Sequence, residues 1–143
     1  DKIQGKVIVI GGGAIGTEIG LELAENGREV KVIEMTDTLS AKENWLYRIA
    51  QRQHIANCHN FIALTNTKVV KINNHTVFAE DNNGNRQAYE ADHILLAVGM
   101  YSDKETAFQF YGITPNTTMI GDCRRVGHVL DCTNDAYFIG ANI

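Results

Sequence analysis

With 143 residues and 44% apolar content, the chain is long enough for one domain with a real core. A net charge of -4 without a lysine or arginine cluster argues against a nucleic-acid surface. The longest apolar run, Ile94 to Val98, is far too short to span a membrane. Cys58, Cys123 and Cys132 form no CxxC pair and read as free thiols in a reducing compartment, which implies a cytoplasmic protein. Asp1 rather than methionine opens the sequence, so we expect a piece of a longer protein.

Lys6 to Ile10 reads as a buried parallel strand. It runs into Gly11-Gly12-Gly13-Ala14-Ile15-Gly16. A helix is predicted over Ala14 to Asn26, with Ile15, Ile19 and Leu23 on one face and Gly27 as its left-handed terminator. Glu29 to Glu34 is the second strand, and Met35 to Ala41 a loop. Lys42 to Asn57 reads as a second helix, whose Trp45, Leu46, Ile49 and Ala50 are expected to cover a sheet face. Phe61 to Leu64 is a short third strand.

The period then changes. Lys68 to Asn73, Thr76 to Asp81 and Arg86 to Glu90 read as short strands, with turns at Asn73-Asn74-His75 and Asn82-Asn83-Gly84-Asn85. This is an antiparallel meander in place of a crossover helix. Asp92 to Val98 returns as an apolar strand, expected in the sheet interior. After Gly99 come a short helix over Lys104 to Tyr111, a last strand over Thr117 to Ile120 ending at Gly121-Asp122, and a helix over Val126 to Ala141. The fold class is therefore α/β: a Rossmann-like parallel sheet with a three-stranded antiparallel meander as crossover, in three layers.

The glycine segment carries the chemistry. Gly11 lets the chain turn sharply, Gly13 lets backbone approach a pyrophosphate, and Gly16 lets the helix pack closely on the strand. The N–H groups at the helix start, at Ala14 and Ile15, then face negative charge. Glu34, about twenty residues further on and at a strand end, can accept hydrogen bonds from the adenosine ribose. Met35 follows it on the cofactor side. No basic residue occurs between Glu34 and Lys42, which favours NAD(H) over its 2′-phosphorylated form. FAD binding by the glycine loop is the rival, since both cofactors share the adenosine diphosphate geometry. Glu18, one turn into the helix, either faces the nicotinamide end or is an exposed helix residue. His54, Cys58 and His59 offer no tetrahedral set, so no metal site is expected.

These elements resemble the nicotinamide-binding region of the pyridine nucleotide–disulfide oxidoreductase superfamily. The glycines at positions 11 to 27, Glu34, the meander, and the strand Ala91 to Gly99 ending in Ala97-Val98-Gly99 carry the likeness. Met119-Ile120-Gly121-Asp122-Cys123-Arg124-Arg125, followed by Val129-Leu130-Asp131 and Asp135-Ala136-Tyr137, resembles the tail of Old Yellow Enzyme-like NADH:flavin oxidoreductases. That group includes 2,4-dienoyl-CoA reductase, 2-enoate reductase and trimethylamine dehydrogenase.

The resemblance implies an NAD(H)-binding domain over residues 1–116 and a strand–helix segment over 117–143 matching the Gly-Asp motif of an FAD domain. It implies that Ala97, Val98 and Gly99 line the nicotinamide side, and that Gly121 and Asp122 contact FAD in the complete protein. An alternative for Asp122 is a cap for the final helix. FAD, and by resemblance alone FMN and an iron–sulfur cluster, would belong to the full-length enzyme. The partners implied are the dinucleotide and the missing FAD and barrel domains. No catalytic residue can be placed, so this piece is expected to bind a nucleotide without completing a turnover. Competing readings are an FAD-binding fragment of a disulfide- or ferredoxin-reductase-type flavoenzyme and a non-enzymatic NAD-sensing module.

Overall fold

The computed structural model describes residues 3–142. The chain forms two compact units, one ending at Gly99 and one starting at Met100. The first holds β1 (Lys6–Ile10), α1 (Ala14–Glu25), β2 (Glu29–Ile33), α2 (Trp45–Asn57), β3 (Phe61–Leu64), β4 (Thr67–Asn73), β5 (Thr76–Asp81), β6 (Arg86–Glu90) and β7 (His93–Leu96). The second holds α3 (Lys104–Phe108), a 3-10 turn (Gly121–Cys123) and α4 (Val129–Gly140).

Strands β3, β2, β1 and β7 form a parallel sheet in that order, with Ile10 beside both Ile33 and Leu96. Side chains alternate across a strand, so β1 serves both faces. Val7 and Val9 pack with Val30, Val32, Phe61, Leu21 and Ala24 on the helix side. Ile8 and Ile10 pack with Ile33, Val77, Ala79 and Ala91 on the other. The second face is covered by an antiparallel sheet, β4–β5–β6, from which Val77 and Ala79 point inward. Helices, parallel sheet and meander make three layers.

Four sequence expectations need correction. The packed face of α1 is Gly16, Thr17, Gly20, Leu21 and Ala24, while Ile15 and Ile19 are exposed. Small residues let the helix axis approach the sheet, and that close approach selects the face over side-chain hydrophobicity. On α2 only Gln51 is buried; Trp45, Leu46 and Ile49 are exposed and cover no sheet face. The helix touches the core through Ile55, with Cys58 just beyond it. β7 lies at the sheet edge, not in its interior, and Leu96 is exposed. Finally, residues 117–120 form no strand, because their backbone pairs with no strand among the described residues.

Among the described residues, no helix is long and apolar enough to cross a membrane. In the second unit no described residue is buried. Its order rests on local bonds: the Asp103 carboxylate accepts from the Thr106 N–H at the start of α3, and Arg124 meets Asp135 at 2.8 Å. At the start of α4 the Asp131 carboxylate accepts the His128 N–H at 2.8 Å, and Asp122 Oδ1 accepts the Gly127 N–H just before it at 3.3 Å.

The α1 contact makes a stability prediction. A Cβ at Gly20 would stand 2.9 Å from Val32 Cγ2 and 3.0 Å from Phe61 Cε2. Gly20→Val should therefore lower the unfolding free energy by about 1–3 kcal/mol through overpacking, as measured by urea denaturation. An unchanged midpoint would mean that α1 does not lie this close to the sheet.

Candidate dinucleotide site

The sheet order places a switch between β1 and β7. From β1 the chain moves one way to β2, and the strand on its other side arrives only after the meander. Open α/β sheets bind ligands in the crevice beyond the carboxyl ends of strands at such a point. Gly11 to Gly16, Glu34, Met35 and Ala97 to Gly99 all lie at those ends.

Gly11 has φ +102, and its N–H donates to the Ile33 carbonyl at 2.9 Å. A Cβ there would strike the Ala97 carbonyl oxygen, and a Cβ on Gly16 would strike the Gly11 carbonyl oxygen with Ala97 Cβ 3.0 Å away. Backbone from β1, α1 and the end of β7 is thus in contact with no space for side chains. The Ala97 N–H donates to the Ile10 carbonyl at 2.8 Å, which fixes the third wall. Gly99 has φ +106, and Val98 is exposed.

Gly13 behaves differently. It precedes α1 in extended geometry, no side chain caps the helix there, and nothing lies within 4 Å of the place a Cβ would occupy. Open space therefore meets the first N–H groups of a helix, from Ala14 onward. Those groups have no partner within the helix and attract an anion.

Glu34 closes the crevice at the end of β2. Its Oε2 accepts the Gly12 N–H at 2.7 Å, and its Oε1 accepts the Thr36 N–H at 2.8 Å and the Thr36 hydroxyl at 2.9 Å. Burial by itself pushes this carboxyl up. Backbone donation from Thr36 and Gly12, the Thr36 hydroxyl and the Met35 N–H outweigh it and hold the pKa below the ordinary carboxylate value. The group is an anion at neutral pH. Of these donors the Gly12 N–H, the Thr36 N–H and the Thr36 hydroxyl lie in hydrogen-bond geometry, and a carboxylate has about four acceptor sites, so one is left for a further donor. Met35 is exposed beside it.

Several residues here carry no expectation from sequence. Gly12 is held on every side: its carbonyl accepts the Thr17 hydroxyl at 3.1 Å and the Ser40 N–H at 2.7 Å, while its N–H goes to Glu34. A Cβ on it would run into Leu39 and stand 2.8 Å from Glu34 Cβ. A third consecutive glycine, beyond the two that the pattern requires, was the available signal. Arg48 and Arg52 of α2 both reach the Thr38 hydroxyl, at 3.2 and 3.4 Å, although they stand well beyond the loop in sequence. Glu18 accepts a hydrogen bond from the Tyr47 hydroxyl, to which Gln51 also donates at 3.0 Å. In this arrangement its carboxylate is engaged with α2. Gly121 and Asp122 belong to the second unit, where Asp122 Oδ1 accepts the Gly127 N–H at 3.3 Å.

The residues present fit the adenosine diphosphate half of a dinucleotide: an open glycine, uncapped helix amides and an ionised carboxylate meet at one crevice. Fold and crevice together define a dinucleotide-binding α/β domain. The pyridine nucleotide-disulphide oxidoreductase profile matches residues 1–125, and the chain belongs to that family. It is 28% identical over 140 residues to cinnamate reductase of Clostridium sporogenes, covering 96% of this chain and 21% of that protein. It is 29% identical to bilirubin reductase of Mediterraneibacter gnavus, covering 98% and 22%. A solved 2-naphthoyl-CoA reductase in complex with 2-naphthoyl-CoA matches with a TM-score of 0.90 and 30% identity, over 100% of this chain and 22% of that one. The chain therefore spans about a fifth of the length of these relatives.

Two predictions follow from the crevice. Gly13→Ala should leave the thermal midpoint unchanged or slightly raised, since its φ of -66 suits alanine and the space is open. The same variant should weaken dinucleotide binding in a fluorescence titration; unaltered affinity would mean that nothing docks at Gly13. For Glu34, a lowered folded pKa means its stabilisation is fully present above the unfolded value, about 4.3. It is lost as pH falls through the folded value. The stability difference between the unsubstituted chain and Glu34→Gln, followed by urea denaturation from pH 7 to 3, should stay constant down to about pH 4.5 and shrink below it.

Proposed function

We propose that the chain is the NAD(H)-binding domain of a larger flavin-dependent reductase, with residues 1–116 as the nucleotide-binding part and 117–143 as a segment belonging with an FAD domain. The observation that carries this reading is the Glu34 carboxylate, ionised and anchored on the Gly12 N–H beside the uncapped start of α1. The N–H groups from Ala14 onward bind the pyrophosphate, with Gly11, Gly13 and Gly16 giving it access. Glu34 orients the adenosine ribose, and Met35 covers it. Ala97, Val98 and Gly99 form the wall on the nicotinamide side.

The chemistry that bound NADH supplies is a hydride, for an FAD held elsewhere in the complete protein. Gly121 and Asp122 are assigned to that FAD site. The isolated chain contributes binding and orientation and completes no turnover. The relatives are named as reductases of cinnamate, bilirubin and 2-naphthoyl-CoA. Those names support a conjugated, unsaturated acceptor for the whole enzyme. A cytoplasmic location agrees with three free thiols.

Titration of the purified chain should show NADH binding more tightly than NADPH; a reversed order would overturn the role given to Glu34. Glu34→Ala should weaken NADH by about 1–3 kcal/mol, the effect of losing hydrogen bonds to a charged group. The preparation should be colourless. A stoichiometric yellow chain would place FAD, not NAD(H), on the glycine loop.

A further inference from the structure

We infer that Arg48 and Arg52, meeting at Thr38 beside Glu34, form a phosphate-binding corner through which the adenosine site accepts the 2′-phosphate of NADPH as well as the free hydroxyl of NADH. This rests on the reading of the glycine loop as a nicotinamide dinucleotide site. The sequence between Glu34 and Lys42 holds no basic residue, and on that ground a 2′-phosphate would meet only the carboxylate. The fold changes this. α2 turns two guanidinium groups back onto the loop that follows β2.

The connection is short. Thr36 donates its hydroxyl toward Glu34 Oε1, at 2.9 Å, and toward the Thr38 carbonyl, at 3.0 Å. The Thr38 hydroxyl in turn takes one N–H from Arg48 and one from Arg52. One loop therefore joins the Glu34 carboxylate to Thr38, four residues along, on whose hydroxyl the two cations of α2 converge.

Both arginines are uncommitted. Among the described residues neither makes an ion pair with a carboxylate, and Arg48 Nε is buried with no hydrogen-bond partner. A single neutral hydroxyl is a poor partner for two guanidinium groups, whose planar donors match a phosphate bidentately. An unsatisfied buried donor is costly. Two guanidinium groups converging on one neutral hydroxyl favour arrival of a multivalent oxyanion at this corner.

Glu34 does not forbid it. Three donors already share the charge of that carboxylate, which weakens its repulsion of a neighbouring phosphate. The expected outcome is tolerance, with NADH preferred but NADPH close behind.

The test measures competition by 2′,5′-ADP and 5′-ADP against NADH, with direct titration of NADH and NADPH, on the unsubstituted chain and on Arg48→Met and Arg52→Met. NADPH should bind within about tenfold of NADH, and each substitution should weaken 2′,5′-ADP by about tenfold while moving 5′-ADP less than about threefold. Arg52 is exposed, so its variant tests the corner even where Arg48→Met unfolds the chain, a point checked by thermal melting. The inference is overturned if NADPH is more than about tenfold weaker than NADH, or if Arg52→Met weakens both ADP isomers equally. Failure of NADH and 5′-ADP to bind at all would instead remove the site itself and this corner with it.

Discussion

The first turn of α1 lies against the ends of β1 and β7 with nothing but backbone and one methyl group between them. Gly16 faces the Gly11 carbonyl and Ala97 Cβ, and Gly11 faces the Ala97 carbonyl. Any side chain at Gly11 or Gly16 would push the helix away from the sheet. Because the helix cannot retreat, its N–H groups stand over the crevice, and Gly13 is left with open space in front of it. One steric condition thus produces both the tight side of the loop and the open side. The loop is shaped before a ligand arrives, which reduces the ordering cost of binding.

Gly12 links this packing to recognition. Its two polar groups join three parts of the fold: Thr17 in α1, Ser40 in the loop after β2, and Glu34 at the end of β2. The carboxylate is therefore a brace for the glycine loop and, in the function proposed here, also the acceptor offered to a ribose. The meander contributes from behind. Val77 and Ala79 seal the face of the sheet that carries Ile8, Ile10 and Ile33, so the strand ends that set the loop are immobilised on both sides. Had that face met water, the continuous apolar runs of β1 and β2 would have been a liability.

The sequence made the strands legible because burial on both faces writes continuous valine and isoleucine runs, and because the meander switches to period two between asparagine turns. β1, β3, β5 and β6 have the bounds read for them. The misreadings share a cause. In α1, Ile15, Ile19 and Leu23 look like a core stripe, yet close approach to the sheet demanded Gly16 and Gly20 instead. In α2, Trp45, Leu46 and Ile49 look buried, but the helix touches the core only through its far end at Ile55. Hydrophobicity marks surfaces that want cover and does not say which surface is covered within this chain. The site was read from contiguous residues, and it failed where contact depends on a fold-back: Arg48 and Arg52 reach Thr38 only because α2 returns over the loop.

The second unit shows the limit of local physics more sharply. Val129, Leu130, Tyr137 and Phe138 are all exposed on α4, and no described residue of the unit is buried. A twelve-residue helix is marginal in water without tertiary contact, and exposed ion pairs such as Arg124–Asp135 add little. Residues 117–120 form no strand, since a strand without a partner leaves its amides to water. Gly121 and Asp122 sit at the end of that stretch. Gly121 is left-handed at φ +63, and the Asp122 carboxylate holds a single 3.3 Å bond, to the Gly127 N–H. In the first unit the shape of the crevice follows from contacts the chain makes with itself. In the second, local capping bonds and exposed ion pairs are what the chain itself supplies.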